Sequence, residues 1–187
     1  MKTLNLALKE HCYFMIAVAI CFIATPAYSA TIHESAGLGS TGQTGGTTIG
    51  SVYDELVASR FSISSPVQIT AIGGHLLSNG TIFGAIVSLN NSNAFPTGSP
   101  LDPGEIVALT VFDASTPSTD FRTPLSVTLP TGDYALVFGS NRFGATGQGA
   151  MPNNNSSAPT ASVMFSKWGP DVVDWRNADN DFLKLRF

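Results

Sequence analysis

The sequence predicts an all-β fold, an antiparallel two-sheet sandwich of about eight strands with a jelly-roll-like arrangement. Three observations carry this expectation. Apolar and polar residues alternate with period two over several stretches beyond residue 56, the spacing of a strand buried on one face. Turn formers are abundant, with 18 glycines and 11 prolines, and they cluster between those stretches. No stretch sustains helical spacing, and only residues 52–58 have the makings of a single helical turn.

The elements follow in order. Val57, Ser59, Phe61 and Ile63 alternate with Ala58, Arg60 and Ser62, and Pro66 interrupts them. Alternation resumes over residues 67–72, and Asn79-Gly80 marks a hairpin turn. Residues 82–89 are apolar almost without break, which suits a central strand. A polar loop with Pro96, Pro100 and Pro103 leads to a strand over 106–112, and residues 113–124 read as a long connection. Leu125, Val127 and Leu129 alternate. Pro130-Thr131-Gly132-Asp133 then predicts a tight hairpin, with Gly132 supplying the positive φ, and residues 134–139 return antiparallel. Residues 140–160 read as loop, 161–168 as strand, 171–181 as a turn region, and 182–187 as the closing strand.

The first residues have a different character. Lys2 and Lys9 precede an apolar run over 12–24, followed by Pro26-Ala27-Tyr28-Ser29-Ala30. The run is short for a membrane span and suits a signal peptide over residues 1–29, cleaved after Ser29. An uncleaved anchor and lipidation at Cys21 are the alternatives; Ile20 stands where a lipoprotein signal needs a small residue. Residues 30–50, rich in Gly, Thr and Ser, read as a flexible lead or a loosely docked first strand, and 51–187 as one sandwich domain. Gly37, Gly39 and Gly42 match a nucleotide-loop spacing, but no strand precedes them and no helix follows. Both cysteines, Cys12 and Cys21, fall in the leader, so the domain relies on its core rather than disulfides. A formal charge of −4 with scattered Lys and Arg argues against a nucleic-acid surface.

Several motifs fall in a recognisable order: Pro66-Val67-Gln68-Ile69-Thr70-Ala71-Ile72-Gly73-Gly74-His75, Gly80-Thr81-Ile82-Phe83-Gly84-Ala85-Ile86-Val87 and Asp120-Phe121-Arg122-Thr123-Pro124-Leu125. Gly132-Asp133-Tyr134-Ala135-Leu136-Val137-Phe138-Gly139, Phe143-Gly144-Ala145-Thr146-Gly147 and Arg186-Phe187 complete them. Together they make the span 61–187 resemble the bacterial choice-of-anchor R family, exported β-sandwich domains often joined to PEP-CTERM sorting tails. The resemblance implies the sandwich and export, and no established activity. Members with a tail continue past the final Arg-Phe; here Phe187 is the last residue, so the expectation is a released domain.

Catalysis finds little support in the residues. Outside the leader, histidine occurs only at His33, in the lead, and at His75, beside Gly73-Gly74, where a structural hydrogen bond is the leading reading. There is no G-x-S-x-G elbow, no thiol outside the leader, and no spacing that pairs two acids. Calcium is the metal whose chemistry fits best: Asn177, Asp179 and Asp181 place oxygen ligands at alternate positions, although the EF-hand pattern fails at Phe182. A solvated acidic turn is the competing reading. Trp168 and Trp175 flank Asp171 and Asp174, with Arg176 adjacent. Rings for stacking on a sugar and polar groups for its hydroxyls make this a candidate ligand site, unless the rings belong to the core.

The leading expectation is therefore a non-catalytic exported module that associates with extracellular polysaccharide or the cell-surface matrix. A structural or adhesive subunit acting through contacts with other surface proteins is the alternative, and a glycan or ester hydrolase comes third. Secretion to the extracellular space or periplasm, with no membrane span after signal cleavage, completes the reading.

Overall fold

The computed structural model describes residues 30–50, 55–98, 100–153, 163–166, 174–178 and 184–187. The signal-peptide reading of residues 1–29 lies outside them. The described part of the domain belongs to one compact unit, Thr31–Phe187. Its strands are β1 (Thr47–Ile49), β2 (Leu56–Ile63), β3 (Val67–Asn79), β4 (Ile82–Leu89), β5 (Ile106–Phe112), β6 (Thr119–Leu129), β7 (Gly132–Gly139), β8 (Gln148–Met151), β9 (Val163–Ser166) and β10 (Trp175–Asn177). A 3₁₀ turn spans Pro103–Glu105, with the Asp102 side chain accepting from the Gly104 amide.

One sheet has the order β1-β8-β3-β6 and the other β10-β9-β2-β7-β4-β5, with all pairings antiparallel. The pairs β1·β8, β2·β7, β3·β6 and β4·β5 are those of one long hairpin wound around itself. This is a jelly roll of eight strands, to which β9 and β10 add a flank. The expected all-β sandwich is thus the observed fold.

The turns differ from expectation. Asn79-Gly80 and Pro130-Thr131 do not close hairpins, because the strands they join lie in different sheets. They are corners that carry the chain from one layer to the other. Gly80 supplies the left-handed backbone, with φ +80°. Gly132 instead begins β7 in strand conformation, and the corner before it is braced by the Tyr134 hydroxyl donating to the Pro130 carbonyl at 3.0 Å. Residues 56–58, expected as part of a helical turn, belong to β2. Residues 119–124 extend β6 rather than forming a connection, and β8 lies within the expected loop 140–160.

Residues 30–50 are not a loose lead. Ser35 is buried, donates to the Leu185 carbonyl at 2.7 Å and accepts from the Phe187 amide at 2.8 Å. Gly42 and Gln43 exchange backbone bonds with Ser118, and residues 47–49 form β1. The composition suggested a flexible linker, but small residues also allow close backbone approach, and that is their use here. Residues 184–187 do not extend the sheet as a strand. Their backbone lies beside β3, where the His75 amide donates to the Arg186 carbonyl at 3.0 Å. Gly74 makes this approach feasible, since a Cβ there would lie 2.5 Å from that carbonyl oxygen.

Two apolar clusters result. Between the sheets pack Val57, Ile72, Leu76, Ile86, Leu129, Leu136, Phe138 and Leu185, with Phe187 stacked on Phe138 at 5.6 Å. On the outer face of the six-stranded sheet pack Leu56, Ala58, Phe83, Ala85, Val87, Ala135, Val137, Leu101 and Trp175. β4 and β7 are therefore buried on both faces, which explains their unbroken apolar sequences. In β3 a register shift between Ile69 and Ala71 changes which residues face inward, so that Ile69 and then Ile72 and Leu76 all reach the core.

Candidate functional site

The outer face of the six-stranded sheet is where the sequence-predicted ligand residues meet the rest of the fold. Alternation along β2 places Arg60 on the same face as Leu56 and Ala58, and it is only 7% exposed. Its guanidinium lies 5.1 Å from the centroid of the Phe95 ring, and Nη2 donates to the Asn177 Oδ1. Arg60 thus ties the loop over 90–105 and strand β10 to the sheet beneath them.

Trp175 makes the second tie. Its indole N–H donates to the Pro100 carbonyl at 2.7 Å, and the residue is 8% exposed. A ring so placed cannot offer its face to a sugar, so the expectation of a stacking platform at Trp175 is corrected: the ring joins the core cluster with Leu101. Asp174 and Arg176, one position to either side, are exposed, as strand alternation requires when Trp175 points inward. Trp168 and Asp171 lie outside the described residues.

The loop beside this strand is organised by its own side chains. The Glu105 carboxylate accepts from the Thr97 amide at 2.7 Å and its hydroxyl at 2.8 Å. Asp102 Oδ1 accepts from the Gly104 amide at 2.8 Å, and Asn91 Oδ1 from the Asn93 amide at 3.0 Å. Asn91, Asn93 and Thr97 are exposed.

Of the calcium residues, Asn177 already accepts from Arg60, and Asp179 and Asp181 lie outside the described residues. Among the described residues no group of three or more His, Cys, Asp and Glu is placed to hold a metal ion.

The structure also contains two serine–histidine couples. His75 Nε2 and Ser118 Oγ are hydrogen-bonded at 2.9 Å, and both residues are fully buried, consistent with a structural bond at His75. His33 Nε2 and Ser59 Oγ are 2.8 Å apart, and His33 stacks on Phe61 at 5.2 Å. Nothing in the sequence signals this second couple, because its members are separated by 26 residues. Burial pushes the His33 imidazole down to about 4 from 6.5, so at neutral pH it is uncharged. The Ser59 hydroxyl it meets is fully buried, away from any substrate. Chemically these couples satisfy interior polar groups rather than form a nucleophilic site.

A shallow open depression of about 430 Å³ is lined by residues 141–146. Asn141, Phe143 and Gly144 there have φ of 59°, 54° and 86°. The left-handed backbone at Phe143 holds a 37%-exposed ring edge-on to Phe83, with centroids 5.1 Å apart.

Comparison with protein-family models, with curated proteins and with solved structures returns no match. Among the described residues no helix is long and apolar enough to cross a membrane.

Proposed function

We propose that this protein is a non-catalytic exported module that associates with extracellular polysaccharide in a cell-surface matrix. The observation that carries the reading is β10: a buried tryptophan anchors the strand while Asp174 and Arg176 stand exposed on either side of it. A carboxylate and a guanidinium held on a pinned strand can hydrogen-bond several hydroxyls of a sugar at little entropic cost. Trp168 is the ring proposed to supply stacking, and Asp171 a further acceptor. Export follows from the apolar leader over residues 12–24 and its small-residue cleavage site.

The test is retention of residues 30–187 on a polysaccharide panel, with and without calcium. Asp174→Ala together with Arg176→Ala is expected to lower retention at least tenfold while the fold stays intact, and Trp168→Ala to lower it further. Calcium dependence would assign Asn177, Asp179 and Asp181 to a bound ion. Retention that survives all three substitutions would overturn the site.

A further inference from the structure

The loop joining β7 to β8, residues 140–147, is short and conformationally unusual. Three of its residues have left-handed backbone: Asn141 at φ 59°, Phe143 at 54° and Gly144 at 86°. Glycine and asparagine take this conformation readily, but a phenylalanine there carries a steric cost. Burial does not account for that cost, since Phe143 is 37% exposed. The loop is fixed on both sides of its tip. The buried Ser140 donates its hydroxyl to the Gly147 carbonyl, closing the base. Ala145 is buried and its amide donates to the Arg142 carbonyl at 2.9 Å. The Thr146 amide donates to the Thr81 hydroxyl at 3.1 Å, and the Gly147 amide to the Thr81 carbonyl at 2.7 Å.

The ring stands over this fixed base. Phe143 packs on the buried Phe83 with the two planes at 90°, and a perpendicular partner can cover at most one face of the ring. Gly144 beside it adds no side chain, and no described atom lies within 4 Å of where a Cβ would stand. The depression of about 430 Å³ opens here. Arg142 and the exposed Asn141 and Thr146 line it together with the ring.

We propose that this depression is a subsite for one pyranose unit of a neutral polysaccharide, with Phe143 as its stacking ring. The inference rests on the polysaccharide reading above and adds a second place of contact: β9, β2 and β7 separate β10 from β4, the strand that carries Phe83. The face of an aromatic ring is electron-rich, and the C–H groups on one side of a pyranose present a matching polarised apolar patch. The sugar's hydroxyls then meet an amide, a guanidinium and a hydroxyl at the rim. A purely apolar ligand would leave the rim unused, and a purely polar one would leave the ring unused; a pyranose engages both. The strained backbone fits this role, because a ring fixed in place beforehand loses little freedom when the ligand arrives. The open shape suits an internal unit of a long chain, which has to leave the site at both ends. A formal charge of −4 on the protein favours a neutral polymer over an acidic one.

The experiment is a titration of residues 30–187 with neutral hexasaccharides of glucose, of mannose and of galactose, followed by amide chemical shifts and by saturation transfer to the sugar C–H protons. At least one of them is expected to shift the amides of residues 143–146 and to receive saturation on one side of its pyranose rings. Phe143→Gly suits the left-handed backbone, so the circular dichroism spectrum is expected to stay unchanged while Kd rises at least tenfold. Phe143→Tyr keeps the ring and is expected to keep the affinity. Shifts at 143–146 that persist in Asp174→Ala with Arg176→Ala, when those two substitutions leave polysaccharide retention unaltered, support the subsite and place the failure at β10. Binding that Phe143→Gly leaves unaltered, or shifts confined to residues 174–177, overturns the subsite and leaves the β10 reading standing. No shift at 143–146 with any of the hexasaccharides also overturns the subsite, and the exposed ring is then left as a contact for protein.

Discussion

Trp175 offers the most direct test of how the outer face is built. The residue is 8% exposed, and its indole N–H is bonded to the Pro100 carbonyl at 2.7 Å. Trp175→Phe keeps most of the apolar contact but strands that buried carbonyl, a loss of about 1–3 kcal/mol. Trp175→Ala removes the ring as well and is expected to cost about 3–5 kcal/mol. Urea unfolding followed by circular dichroism measures both. Fluorescence supplies an independent check, because the sequence has only 2 tryptophans. In a Trp168→Phe background the remaining emission is expected to be blue-shifted and protected from acrylamide. If Trp175→Ala costs less than about 0.5 kcal/mol, as an ordinary surface change would, and the emission is open to quencher, the indole faces solvent and the packing argument is wrong.

Other measurements probe the interior polar contacts and the end of the chain. Because burial lowers the folded-state value of His33 to about 4 from 6.5, the unfolded chain takes up its proton first as pH falls, and stability declines between those two values. The decline amounts to roughly 3 kcal/mol at about 1.4 kcal/mol per unit and is complete below the folded value. His33→Phe, which retains a ring against Phe61, is expected to flatten it; an unchanged pH slope would remove His33 as the cause. Ser118→Ala deletes the partner of buried His75 and the side-chain acceptor of the Gln43 amide, at about 1–3 kcal/mol, with faster amide exchange at Gln43 as its signature. Phe187→Ala removes a ring that is 6% exposed and stacked on Phe138, and a loss of about 3–5 kcal/mol in denaturant unfolding is expected.

What the sequence discloses depends on the length of the pattern. β4 and β5 are legible to the residue, because each is an uninterrupted strand-forming run between turn signals. β3 continues through Gly73-Gly74, where two glycines suggest an ending. The bulge that resets its alternation hides the inward row from a simple period-two reading. β1, β8 and β10 have three or four residues each, too few for any periodicity. Turn residues announce that the chain reverses, but not whether it returns to the same sheet, so two sheet-to-sheet corners read as hairpins. The candidate site was half legible. Trp175, Asp174, Arg176 and Asn177 do gather at one end of the fold, but the inward direction of the tryptophan follows from Pro100, 75 residues away. Arg60 gave no signal at all, because in the sequence it is one polar member of an alternating strand.

The tie between Ser35 and residues 185 and 187 has a consequence for how the sandwich closes. Its bonds close loops of 150 and 152 residues, and residues 184–187 also lie beside β3, where the His75 amide donates to the Arg186 carbonyl. No intermediate length of chain can complete this layer. Without residues 184–187 the strap is missing and the sandwich stays ajar, since long-range pairs reward closure only once both distant partners are in place. The domain thus locks through its most distant pairs, and loss of residues 184–187 is expected to loosen Ser35 and the middle of β3 together.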